Sequence, residues 1–175
     1  MLQLLIASAR ESLAVAKGEI GEILARSTFA SKVLEELGQG FDVQLTHAAK
    51  AWLYQLFRVL KAKPDIVAIR DGIVRALAEV KAVGLDEFKK NLDNYIEQLE
   101  KYANRFQQAT FKAFYTRAEN IEWLRMAEEG AFGPRLQQKV AEFTARLRAA
   151  GYGDALAIEG YDGALGLLRP PGLEA

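Results

Sequence analysis

From residue 6 to residue 37, apolar or small side chains recur at alternating spacings of three and four: Ile6, Ala9, Leu13, Ala16, Ile20, Ile23, Ser27, Ala30, Leu34 and Leu37. That rhythm predicts a long helix with a heptad-like seam, and the small residues at 9, 16 and 30 leave room for a close partner helix. Gly18 and Gly21 each weaken it by about 1 kcal/mol relative to alanine, and the GQG at 38–40 stops it. A second helix is expected from Thr46 to Lys61 or Ala62, ended by Pro64. Pro64 and Asp65 then read as the first turn of a third, with Ile66, Ile69, Ile73, Leu77 and Val80 on one face, Asp71 and Arg75 paired one turn apart, and Gly84 at its end.

The next segment runs without proline or glycine from Leu85 to Glu129, and its seam passes through Phe88, Leu92, Tyr95, Leu99, Tyr102, Phe106, Ala109 and Ala113. As one helix it spans ~66 Å at the standard rise, against a radius of gyration of ~16 Å for a compact chain of this size. Either it breaks near Asn104–Thr110 or the molecule is elongated, and elongation is the expectation. Pro134 opens a last helix through about Ala150. The pattern therefore predicts an all-α protein, an elongated helical bundle or coiled-coil-like hairpin of about five helices over 1–150. A Gly/Pro-rich docking tail follows over 151–175, where the similar units GYGDAL and GYDGAL offer apolar anchors for the long helix.

Within the long segment, RFQQATFKAFYTRAENIEWLRM carries aromatics around the whole circumference of a helix. One buried face cannot hold them all. Phe111, Tyr115, Trp123 and Met126 are accordingly expected to meet a protein partner or a second copy.

Composition narrows the chemistry. Lys plus Arg and Asp plus Glu are both 23, so overall charge favours neither nucleic acid nor an anionic membrane. The absence of cysteine excludes disulfides, thiolate metal sites and cysteine nucleophiles. The opening apolar run is too short for a signal-peptide core and no run suits a membrane span, which predicts a cytoplasmic protein. With one histidine, His47, and no phosphate-binding glycine loop or nucleophile elbow, no metal, cofactor or catalysis is expected. The function expected is non-catalytic assembly, scaffolding or adaptor work. The alternative rests on residues 46–62, a basic amphipathic stretch in which Lys50, Tyr54, Arg58 and Lys61 could contact nucleic-acid phosphates as a small accessory subunit.

Overall fold

Two adjacent residues in the middle of the chain overturn the all-α expectation. Asp71 and Gly72 both have positive φ, 55° and 73°, the backbone of a two-residue hairpin turn that no helix can contain. The segment expected as a third helix is instead a β-hairpin, β2 (Ile66–Arg70) and β3 (Ile73–Lys81), with Ile66 opposite Ala78. The structure is a computed structural model describing residues 2–167. Its sheet has five strands in the order β1-β2-β3-β4-β5. β1 (Asp42–Leu45) pairs antiparallel with β2, while β4 (Phe111–Thr116) and β5 (Leu156–Ala157) extend the sheet in parallel from β3.

The long segment breaks rather than extends. It divides into α3 (Leu85–Lys90), α4 (Leu92–Arg105), strand β4 and α5 (Ala118–Glu128). This answers the circumference problem, because side chains of a strand alternate between two faces. Phe111 and Tyr115 point to one side of the sheet, where Phe111 stacks on Phe29 with centroids 5.8 Å apart. Phe114 points to the other, against Phe143.

Two apolar clusters sandwich the sheet. On one face lie α1 (Leu2–Leu37) and α7 (Tyr161–Leu167); on the other lie α2 (Ala51–Leu60), α3, α4, α5 and α6 (Pro134–Ala149). The chain is thus neither a helical bundle nor a coiled coil. The heptad reading of α1 chose the wrong stripe: Gly21, Ala25, Phe29 and Val33, spaced by four, are buried on the sheet. Ile23 and Leu34, by contrast, remain 57% and 54% exposed. Gly21 lets the helix approach closely, since a Cβ there would stand 2.7 Å from that of Ala82.

The two GY units dock in the same chain but on opposite faces. The Tyr152 hydroxyl donates to the Leu99 carbonyl at 2.6 Å, and that of Tyr161 to the Ala82 carbonyl at 3.3 Å. The end of the expected docking tail, 168–175, lies outside the described residues. No helix among the described residues is long and apolar enough to cross a membrane.

Candidate active site

The hairpin register sets Asp65, just before β2, opposite Glu79 near the end of β3. Their main chains and side chains interlock. The Asp65 N–H donates to Glu79 Oε1 at 3.1 Å, and the Val80 N–H donates to Asp65 Oδ2 at 2.8 Å. Two residues on, Lys81 shares the Glu79 face of the strand and brings Nζ to 3.4 Å from Glu79 Oε2. From α4, the Tyr102 hydroxyl stands 3.2 Å from the same oxygen and accepts a hydrogen bond from Gln98 Nε2 at 2.8 Å. Glu79 is a carboxylate at 1% exposure, held from three directions.

A third carboxylate arrives from the other face of the sheet. Glu22, one residue past the close approach at Gly21, sits beside Asp65, and its Oε2 stands 3.1 Å from His47 Nδ1. Burial, reinforced by Asp65, raises Glu22 to about 7. Burial followed by Asp65 also pushes Glu79 well above the ordinary carboxyl range, although Lys81 opposes this. Burial and Glu79 likewise raise the Tyr102 phenol, so it remains a donor.

Cations line two clefts beside this acidic centre. An open cleft of about 420 Å³ is lined by Tyr54, Arg58, Lys61, Lys63, Lys101 and Tyr102, among others. A second, of about 480 Å³, holds Lys81, Asn94, Tyr95, Glu97, Gln98 and Lys101. Three of the four residues singled out as phosphate contacts, Tyr54, Arg58 and Lys61, therefore share one wall. Lys50 lies elsewhere, in a groove with Arg26 and Asp42. The residues expected to bind a partner form no common surface: Tyr115 and Trp123 are buried, Phe111 and Met126 half-buried.

Sequence reasoning passed over Asp65, Glu79, Lys81, Gln98 and Tyr102. The available signal was Asp71-Gly72 between two apolar runs, a hairpin mark that brings Asp65 and the Glu79-Val80-Lys81 triplet to one end. Comparison with protein-family models, with curated proteins and with solved structures finds no match.

Proposed function

We propose that the chain is a divalent-cation-dependent phosphodiesterase acting on nucleic acid. One observation carries this reading: Asp65, Glu79 and Lys81 meet at one end of the β2–β3 hairpin, inside a rim of cations. The donor set is oxygen only, which suits a hard cation such as Mg²⁺ or Mn²⁺. Among the described residues no three acidic or histidine side chains make a closed shell. Mg²⁺ does not need one, because it keeps several waters and typically takes one or two protein carboxylates together with substrate phosphate. Bound there, the cation would polarise a phosphoryl oxygen and make its water acidic.

The remaining work falls to the chain itself. Asp65 and Glu79 supply the negative charge, and the Asp65 N–H and Tyr102 hydroxyl fix the Glu79 rotamer. Lys81 is a cation placed to balance charge developing on a phosphate in transfer. Arg58, Lys61, Lys63 and Lys101 neutralise neighbouring phosphates, a sequence-independent attraction. The raised Glu22 and Glu79 fit this reading, since carboxyls crowded without a counter-cation favour the neutral form.

The test is cleavage of end-labelled DNA and RNA in Mg²⁺ and Mn²⁺, with EDTA as control. Asp65→Asn and Lys81→Ala should each lower the rate at least a hundredfold with far-UV circular dichroism unchanged. A wild-type protein inactive on both polymers, or variants as active as it is, would refute the assignment.

A second reading, self-association, has one observation in its favour. Ile23 and Leu34 stand on the outward side of α1, more than half exposed. Light scattering should then give twice 19.4 kDa, reverting to 19.4 kDa in Ile23→Glu/Leu34→Glu; a monomeric wild type disposes of it.

A further inference from the structure

Resting on the phosphodiesterase reading, we infer that the enzyme cuts internal bonds of a single strand that passes through the site, and does not digest it from a terminus. The Glu79 carboxylate is buried beneath the two clefts and lines neither, but it touches one residue of each. Its Oε2 meets the Tyr102 hydroxyl at 3.2 Å, and Tyr102 lines the first cleft. The same oxygen meets Lys81 Nζ at 3.4 Å, and Lys81 lines the second. Through Tyr102 and Lys81 the buried centre is therefore connected to two open, cation-bearing clefts. An enzyme that holds a strand end needs a wall beyond the scissile bond, whereas here the second cleft continues past Lys81 along α4 to Asn94.

Gln98 and Lys101 belong to both clefts and form the ridge between them. A strand crossing this ridge places one phosphate at Lys101 and its neighbours on either side. The first cleft offers Arg58, Lys61 and Lys63 to the backbone, with the Tyr54 ring, under Lys63 Nζ at 4.9 Å, as an aromatic surface for a base. A basic groove combined with an aromatic platform is how proteins hold single strands without reading sequence.

The discriminating experiment compares a covalently closed single-stranded circle with the linear strand of the same sequence, using whichever of DNA or RNA the linear assay shows to be cleaved. The expected result is no loss of initial rate on closing the circle, with internal fragments appearing from the first time points. A circle that resists while the linear strand shortens from one end overturns through-passage but leaves the phosphodiesterase reading intact. Failure to cleave linear DNA and linear RNA alike overturns the phosphodiesterase reading itself. Binding supplies an independent readout in EDTA: Lys101→Ala should reduce the slope of log affinity against log salt by about one phosphate contact. An unchanged slope shows that the strand does not cross the ridge.

Discussion

Glu22→Gln isolates the electrostatic cost of assembling the carboxylate centre. Holding this carboxyl at about 7 instead of 4.5 corresponds to about 3 kcal/mol against the ionised form. That is an upper figure, because the side chain keeps 23% exposure and His47 stays at 3.1 Å. The folded protein retains the Glu22 proton at a pH where the unfolded chain has already released it. Its stabilising contribution is therefore full below about 4.5 and lost as pH rises through about 7. Glutamine is neutral throughout and of nearly the same size.

The variant should accordingly match the wild type near pH 4.5 and exceed it at pH 8, by up to about 3 kcal/mol or roughly 6 to 12 °C in melting temperature for a chain of this size. Thermal melts in EDTA across that range measure the gap. Mg²⁺ should narrow it by supplying the missing positive charge to the wild type. A gap constant with pH, or a variant less stable at pH 8, would refute the electrostatic account of this site.

Two further predictions concern supporting residues. Tyr102→Phe removes the phenol beside Glu79 while keeping the ring, so it should weaken the Mg²⁺-induced rise in melting temperature and lower kcat more than it raises KM; equal effects on both would mean that Tyr102 does not position Glu79. Gly21→Ala sets a helix-propensity gain of about 1 kcal/mol against a Cβ placed 2.7 Å from that of Ala82, where overpacking costs about 1–3 kcal/mol. Denaturant melts should show a net loss, and any gain in stability would mean that α1 shifts outward freely.

The helices with polar flanks were legible from periodicity. Residues 134–149 form the expected helix, and 51–60 form a helix within the stretch expected from Thr46, although its apolar Trp52 and Val59 are exposed. The sheet was not legible because β2 and β3 are buried on both faces. Their apolar runs lack the alternation of a half-buried strand and accidentally satisfy a three-and-four spacing. The same ambiguity concealed β4, whose aromatics divide between the two faces. Once Asp71-Gly72 is taken as a turn, counting along two strands brings Asp65 opposite Ala78, and the register shift between Ala68 and Ile69 moves it one residue further, to Glu79. What no counting supplies is the approach of Glu22 from the opposite side of the sheet, because it depends on which stripe of α1 packs down.

The placement of Glu79 bears on function independently of any resemblance. An ionisable side chain at 1% exposure is rare, and a fold tolerates one when its neighbours are arranged around it. Here those neighbours are a main-chain N–H, a tyrosine hydroxyl and a lysine, drawn from the residue before β2, from α4 and from β3. Stability alone does not call for them, since a leucine could fill similar space without desolvating a charge. Nor does the arrangement neutralise the site, because Asp65 and Glu22 add two more carboxyls where one lysine already faces Glu79. Carboxyls in excess of their local partners, driven toward the neutral form where two strands end beside two cationic clefts, are costly to a folded chain and useful to one that gathers a cation and a phosphate. The stability gain expected of Glu22→Gln and the activity loss expected of Asp65→Asn are thus two measurements of one arrangement.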